Sequence, residues 1–159
     1  MGGNDVAGST VRFESRMTIR RPIGVVFARL ADLPGYGRWM HRTGLFRRCG
    51  LTSEGSVRQG TTYSDATRLG TFEGEVTEFA APSRIAFSET LRWFGRPVTQ
   101  ARPEYFLEAD GDATVVHHIA VGELFGPFRL MKPLAALMAK SERTKTLNSL
   151  TRSLESESV

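Results

Sequence analysis

Several side chains that could transfer protons lie on segments whose alternation of apolar and polar residues is typical of buried strand faces. Glu89 is in phase with the apolar residues Phe87 and Leu91, and His117 is in phase with Ile119. A carboxyl group in an apolar site has a raised pKa and can share a proton with a neighbouring imidazole. Such a pair can act as general acid and base on an enolisable carbonyl, which is the chemistry of aldol cyclisation and dehydration. The candidate catalytic residues on these faces are Tyr63, Asp65, Glu89, Tyr105 and His117.

The register between neighbouring strands decides whether these side chains face one another. A three-residue loop at 110–112 would pair odd-numbered with odd-numbered residues and place Tyr105 opposite His117, which is the arrangement we expect. A two-residue loop at 95–96 would instead pair odd with even on the strands that it joins. Structural roles also stay open, because a buried tyrosine often keeps one structural hydrogen bond and an inward histidine is often a satisfied core residue.

Aromatic and apolar residues near the ends of these segments are candidates for the wall of a ligand-binding cavity. A hairpin tip seldom lies in a core, so Trp93 and Phe94 are expected to form a gate over the mouth of the cavity. Met131 and Met138, whose side chains adapt to irregular surfaces, are candidates for its floor. The alternative for residues at helical spacing is ordinary core packing. The candidate ligand-binding residues are Trp39, Met40, Phe87, Leu91, Trp93, Ile119, Met131, Leu134 and Met138.

An antiparallel sheet flanked by helices is predicted to position these residues. Residues 11–19 alternate as a half-buried strand, and apolar spacing then predicts short helices at 23–30 and 33–41. A long amphipathic helix is predicted at 127–155, with a kink or break at Pro133, which lacks a backbone donor. Turn-forming residues separate six further strands, as in an antiparallel meander. These strands are predicted near 43–52, 58–69, 71–80, 84–94, 98–109 and 113–122.

This order of elements predicts an α+β fold in which a curved antiparallel sheet of six or seven strands wraps around the long C-terminal helix. Only that helix is long enough to cross the sheet, and the curvature is expected to leave a cavity between the two. The 159-residue chain fits a single domain, expected at 10–155, with flexible tails at 1–9 and 156–159.

Composition argues against several classes of function. The net charge is only +4 and the basic residues form no run longer than a pair, which argues against nucleic-acid binding. No apolar run approaches the roughly 20 residues that cross a bilayer, so membrane insertion is not expected. A single cysteine and the lack of a basic and apolar leader predict a cytoplasmic protein without a disulfide framework. The adjacent His117 and His118 point to opposite strand faces, so no metal site is expected. No cofactor is expected either, because the sequence has neither a GxxxxGK(S/T) loop nor a GxGxxG after a strand.

Four segments, taken in order, resemble a known family. They are the strand-to-helix junction at 21–27, the aromatic stretch ending at Trp39, the hairpin at 74–85 with its Pro82-Ser83-Arg84 turn, and the long helix after Gly126-Pro127. Over about residues 11–154 the chain resembles the START / Bet v 1-like (SRPBCC) superfamily, especially its polyketide cyclase/dehydrase-like branch. The resemblance implies a helix-grip fold with a cavity for lipids, sterols, polyketides or similar apolar molecules. It fixes no reaction, because members include transporters, sensors, hormone receptors and aromatase/cyclases that share no catalytic set.

Three functions stay open at this point. The first is binding of an apolar, oxygenated, polyketide-like molecule, with cyclisation or dehydration by the acid–base residues named above and without a cofactor. The second is non-catalytic carriage or sensing of a lipid-like ligand, in which the same residues only orient it. The third is a protein-interaction module, which would need an exposed apolar patch. A homodimer is compatible with all three.

Overall fold

A computed structural model of the chain describes residues 10–40, 48–67 and 70–157, so His41 and the first part of the strand predicted near 43–52 lie outside the described residues. The strands are β1 (Thr10–Ile19), β2 (Arg48–Leu51), β3 (Thr62–Thr67), β4 (Gly70–Ala80), β5 (Arg84–Trp93), β6 (Arg96–Asp110) and β7 (Ala113–Leu124). The α-helices are α1 (Ile23–Ala31), α2 (Tyr36–Trp39) and α3 (Lys132–Ser156). Short 3-10 turns at Leu33–Gly35 and Gly126–Met131 precede α2 and α3.

The seven described strands form one antiparallel sheet in the order β1-β7-β6-β5-β4-β3-β2. Strands β2 to β7 follow one another as a meander, whereas β1 lies at the far edge and pairs with β7, with Thr10 opposite Glu123. The helices lie on one face of this sheet, which we call the inner face. The predicted α+β helix-grip fold, with two short helices after the first strand and a long helix at the end, is therefore confirmed.

The two short helices pack at one end of the sheet. Pro22 immediately precedes α1, where its fixed φ suits a helix start. The buried face of α1 includes Phe27 and Leu30, and the ring of Phe27 lies edge-on to that of Phe79 in β4, with 5.2 Å between centroids. The hydroxyl of Tyr36 donates a hydrogen bond of 2.7 Å to the Leu30 carbonyl, which ties α2 to the end of α1.

The long helix α3 begins at Lys132 rather than at residue 127, because Pro133 occupies its first turn. A proline is tolerated there, since the first turn of a helix needs no backbone donor. The preceding Gly126–Met131 segment forms a separate 3-10 turn, so the predicted break next to Pro133 is confirmed. None of the helices that the structure describes is both long enough and apolar enough to cross a membrane.

The C-terminal half of α3 holds the helix against the sheet. Leu147, Leu150 and Leu154 recur at threes and fours and are at most 2% exposed. We call these three residues the buried leucine stripe, and each contributes about 1.5–3 kcal/mol through burial. Beyond the stripe, Arg29 of α1 forms a 2.6 Å ion pair with Glu157, which fixes the end of the helix to α1.

A tight turn and a bulge set the register between β5 and β6. The turn has two residues, Phe94 and Gly95, whose positive φ angles of 48° and 76° are typical of a type I′ hairpin. An irregularity next to Leu91 shifts the pairing by one residue further along the strands. Beyond it odd-numbered residues again pair with odd-numbered ones, and Ile85 lies opposite Tyr105.

The register between β6 and β7 differs from the prediction. The turn has two residues, Gly111 and Asp112, rather than three. The ladder beyond it is regular, so odd-numbered residues of β6 lie opposite even-numbered residues of β7. Tyr105 is therefore opposite His118, and not opposite His117 as predicted.

Candidate functional site

Tyr63 and Glu89 meet across a glycine on the inner face. The register places Tyr63 of β3 opposite Gly74 of β4, and Gly74 opposite Glu89 of β5. A Cβ atom on Gly74 would collide with the Tyr63 ring, so the glycine is what allows that ring to lie over β4. The Tyr63 hydroxyl donates a hydrogen bond of 2.7 Å to Glu89 Oε1. The sheet thus brings two of the candidate catalytic residues into direct contact.

Arg143 of α3 reaches the same pair from the helix. Its Nη2 atom lies 3.5 Å from Glu89 Oε2, and its guanidinium is within hydrogen-bonding reach of the Tyr105 hydroxyl. The Glu89 and Arg143 side chains are each 21% exposed, although they lie between the sheet and the helix. Solvent therefore reaches part of both side chains. We call Tyr63, Glu89, Tyr105 and Arg143 the inner polar network.

Burial and charge set the protonation of three members of this network. Burial, together with the Glu89 carboxylate, raises the pKa of Tyr63 well above its usual range. Burial also raises the pKa of Tyr105, although the Arg143 cation opposes the rise. Burial acts to lower the pKa of Arg143, but Glu89 and the two tyrosines raise it by more. Both phenols therefore stay protonated at neutral pH, and the guanidinium stays cationic.

Aromatic rings and a further carboxylate surround the network on the sheet. The Phe87 ring lies edge-on to those of Tyr63 and Tyr105, with centroids 6.2 Å and 6.3 Å away. Asp65 shares the inner face of β3 with Tyr63, is 8% exposed, and adds to the rise in the pKa of the Tyr63 hydroxyl. The polar groups are thus held by apolar packing rather than by a mobile loop.

His117 lies on the outer face of the sheet, so its predicted position inside is wrong. The two-residue β6–β7 turn inverts the facing of β7 relative to the expected three-residue loop. The His117 Nε2 atom lies 2.7 Å from Glu14 Oε1, and its side chain is 36% exposed. Ile119 shares this outer face, so its predicted place in the cavity wall is wrong for the same reason. A groove of about 280 Å³ on this face is lined by Arg16, Phe106, Glu108, Val115, His117 and Ile119.

His118 takes the inner position instead. It is fully buried, and its ring stacks on that of Tyr105 with 4.1 Å between centroids. Its Nδ1 atom lies 2.9 Å from the Glu104 carbonyl oxygen, which can only accept, so Nδ1 carries the proton and Nε2 keeps a lone pair. Burial, followed by the charge of Arg143, lowers the pKa of His118 to about 3. His118 is therefore neutral at physiological pH and is too weak a base to share a proton with Glu89.

The predicted ligand-binding residues of the inner face and α3 fall into two groups. One group is buried, or partly buried against the core: Trp39, Met40, Phe87 and Leu91. The other group is between 42% and 49% exposed: Trp93, Met131, Leu134 and Met138. Trp93 lies beside the hairpin tip as expected, and its ring contacts those of Phe94 and Phe128.

The N-terminal half of α3 turns small residues towards the sheet. At about 100° per residue, Leu134 and Met138 lie on nearly the opposite side of the helix from the buried leucine stripe, and Leu137 lies on its flank. The prediction that Leu134 and Met138 line the cavity is therefore wrong, because hydrophobic spacing does not tell which side of a helix meets the sheet. Met131 precedes the helix and is 48% exposed, so it does not form the floor either. On the side of the stripe this half carries two partly buried alanines, Ala136 and Ala139.

Comparison with known proteins identifies the family of the chain. Residues 10–155 match the model of a family described as polyketide cyclase / dehydrase and lipid transport. The chain belongs to this family. The resemblance seen in the sequence, over nearly the same residues, is confirmed. A comparison with curated proteins found no match.

Solved structures with the same fold show how widely this family's architecture occurs. The chain is similar to the Zhui aromatase/cyclase from Streptomyces sp. R1128, with 13% identity over 92% of this chain and 94% of that one, at a TM-score of 0.74. It is also similar to a START superfamily protein from Mycobacterium smegmatis, with 12% identity over 92% and 99% of the two chains and a TM-score of 0.71. A conserved protein from Geobacillus kaustophilus gives 12% identity over 92% and 96%, at a TM-score of 0.73. At these identities the likeness shows the fold alone.

Sequence reasoning missed two residues of the site in this polyketide cyclase / dehydrase and lipid transport family member. Arg143 precedes Leu147 by one helical turn and so continues the buried leucine stripe. A charged residue on an apolar stripe was the signal that could have found it. His118 could have been found from Gly111 and Asp112, because a Gly-Asp pair between two strands is typical of a two-residue hairpin.

Proposed function

We propose that this protein binds an apolar, oxygenated, polyketide-like molecule between the inner face and the N-terminal half of α3. We further propose that the inner polar network catalyses cyclisation or dehydration of this molecule. The observation that carries the proposal is that Glu89 and Arg143 each remain 21% exposed although they lie between sheet and helix. A charged pair in a fully closed core would lose all of its solvation, which is costly, whereas one beside a ligand space keeps part of it. Ala136 and Ala139 support the proposal, because small side chains leave room over the sheet at this point.

The network combines a carboxylate, a cation and two hydroxyl donors in apolar surroundings. Glu89 takes a proton from the carbon next to a ligand carbonyl, and the hydrogen bond from Tyr63 keeps the carboxylate in place. Arg143 and Tyr105 donate to the carbonyl oxygen and stabilise the enolate that forms. The enolate carbon attacks a second carbonyl of the same molecule, and the new alkoxide takes the proton back from Glu89. In dehydration Glu89 removes a further proton from the carbon next to the carbonyl, and the departing hydroxide takes that proton to leave as water.

Carriage of such a ligand without reaction is the second candidate function, and the protonation states favour it. The pKa values of Tyr63, Tyr105 and Arg143 are shifted upwards and that of His118 falls to about 3. A general acid–base residue works best with a pKa near the operating pH, and none of these four shifts moves a group into that range. In this role the network orients the ligand's oxygen atoms and the alanines of α3 cover its apolar part.

The test is native mass spectrometry and denaturing extraction of the protein purified from its own host. We expect a co-purifying apolar molecule that carries oxygen. Conversion of this molecule on incubation, with loss of conversion in Glu89→Gln, would support catalysis, and unchanged recovery would support carriage. The matched control is Glu73→Gln, because Glu73 lies on the outer face and pairs with Arg92. A protein that is empty and also binds no apolar probe would overturn the proposal.

A further inference from the structure

Large apolar side chains are exposed where the β5–β6 turn meets the start of α3. Phe94 is 90% exposed, Leu130 is 88% exposed and Leu137 is 66% exposed. Trp93 connects the turn with the 3-10 segment, because its ring centroid lies 5.8 Å from that of Phe128. We call this surface the docking edge, and its members are Trp93, Phe94, Phe128, Leu130, Leu134, Leu137 and Met138.

The concentration of exposed apolar residues at this edge is not shared by the rest of the described surface. Among the large apolar residues that are exposed in the described ranges, all but Val25 belong to the end of β5 and its turn, at Trp93 and Phe94, or to the segment from Leu130 to Met138. Single exposed apolar residues are normal, whereas a cluster of them indicates a binding surface. Phe94 also has a positive φ of 48°, which is uncommon for an aromatic residue and is imposed here by the two-residue turn.

Basic residues surround the docking edge and acidic residues are absent from its segments. Arg96, Arg129, Lys132 and Lys140 lie in the same two stretches of chain, and neither 93–103 nor 124–141 contains an aspartate or a glutamate. None of the four bases forms an ion pair with another residue in the described part of the chain. The edge is therefore positively charged, although the whole chain has a net charge of only +4.

We infer that the docking edge binds the surface of an anionic lipid bilayer. Its aromatic and leucine side chains enter the interfacial layer, and its bases contact the headgroups. A second copy of the chain fits less well, because a two-fold contact would place the same bases against one another. A protein partner would need a pocket that fits the protruding Phe94, whereas a bilayer accepts this ring without one. The contact is peripheral and is independent of which ligand the inner face binds.

Flotation with vesicles of phosphatidylcholine, with and without phosphatidylserine, tests this inference on the full chain. We expect binding to the anionic vesicles at low salt, weakening as the salt concentration rises. The double variant Phe94→Ser, Leu137→Ser should lower the partition coefficient about tenfold or more, because it removes two large apolar groups. Replacing Lys132 and Lys140 with glutamine should lower it roughly fivefold for each base.

Val25→Ser is the matched control. Val25 is 37% exposed, but it lies on α1, which packs against Phe79 at the end of the sheet opposite to the β5–β6 turn. This variant should bind vesicles as the unaltered protein does. Brominated lipid should quench Trp93, since the other tryptophan, Trp39, is buried.

Several results would overturn the inference. One is failure of the unaltered protein to bind anionic vesicles at low salt, and another is equal binding by the Phe94→Ser, Leu137→Ser variant. A dimer that this variant abolishes, without vesicle binding, would assign the edge to a second copy instead. Urea denaturation would show that the variant folds, as expected for exposed positions. None of these results depends on ligand binding, so a failure here leaves the proposed function standing.

Discussion

The C-terminal half of α3 turns its leucines towards the sheet, whereas the N-terminal half turns its leucines away from it. The buried leucine stripe is at most 2% exposed, while Leu134 and Leu137 are 49% and 66% exposed. An ordinary amphipathic helix would keep all of these residues on one side. Arg143 lies between the two halves and marks where leucine packing gives way to a polar contact with Glu89.

Because of this difference, the C-terminal half of α3 contributes to the stability of the protein, and the N-terminal half is left for binding. The C-terminal half removes apolar surface from water and fixes the helix on β1 and α1. The N-terminal half contributes little to the core, because its sheet-facing residues are alanines and its large residues face outwards. Substitutions in the two halves should therefore act on different properties of the protein.

Leu150→Ala should have the largest effect on stability. Leu150 is fully buried, so its truncation leaves a cavity and should cost about 2–5 kcal/mol of unfolding free energy. Leu137→Ala should change it by less than about 0.5 kcal/mol, because Leu137 faces solvent. Urea denaturation of both variants gives the comparison, and similar losses in the two would show that the halves do not differ.

The free energy of unfolding of the protein should depend on pH because of His118, whose pKa is lowered by burial and by the charge of Arg143. Its folded pKa of about 3 lies below its ordinary value of 6.5, so the unfolded chain binds the proton more readily between these values. Stability should therefore fall as the pH drops from 6.5 towards 3, by roughly 1.4 kcal/mol for each pH unit.

Urea denaturation at a series of pH values checks this slope. His118→Phe should flatten the profile between pH 6.5 and 3, because the titrating group is gone. An unchanged slope in His118→Phe would assign the acid sensitivity to other groups.

Filling the space under the N-terminal half should change binding more than stability. Ala139→Leu places a large side chain between α3 and the sheet and should weaken binding of an apolar fluorescent probe by about tenfold. Ser141→Leu makes the same kind of change on the exposed side and should leave probe binding unaltered. Titration of the probe into both variants measures the two affinities. Equal affinities would show that the probe binds somewhere other than between α3 and the sheet.

Element order and fold were predictable because their signals are local. Alternation, turn residues and the long helical repeat each occupy a short stretch of sequence, and they predict the meander and α3 without knowledge of packing. The facing of β7 was not predictable in the same way, because it depends on one residue more or less in the turn before it. Because the turn is one residue shorter than predicted, His118 lies on the inner face in place of His117.

The register between β5 and β6 stayed open in the sequence, because a two-residue loop there would pair odd-numbered with even-numbered residues. The turn has two residues, Phe94 and Gly95, but a bulge next to Leu91 shifts the pairing by one more, so Ile85 and Tyr105 face one another. The position of Arg143 on the leucine stripe could have indicated an inward-facing residue, but its contact with Glu89 depends on how α3 crosses the sheet.

The pairing of β1 with β7 has a consequence for the order in which the chain acquires its structure. Among the described strands β1 is made first, but its only neighbour is β7, which is made last. Strands β2 to β7 can assemble hairpin by hairpin as they leave the ribosome. The backbone groups of β1, in contrast, stay unpaired on both edges until β7 has been made. Nascent chains that end before Ala113 should therefore depend on chaperones, and the completed sheet should form only near the end of synthesis.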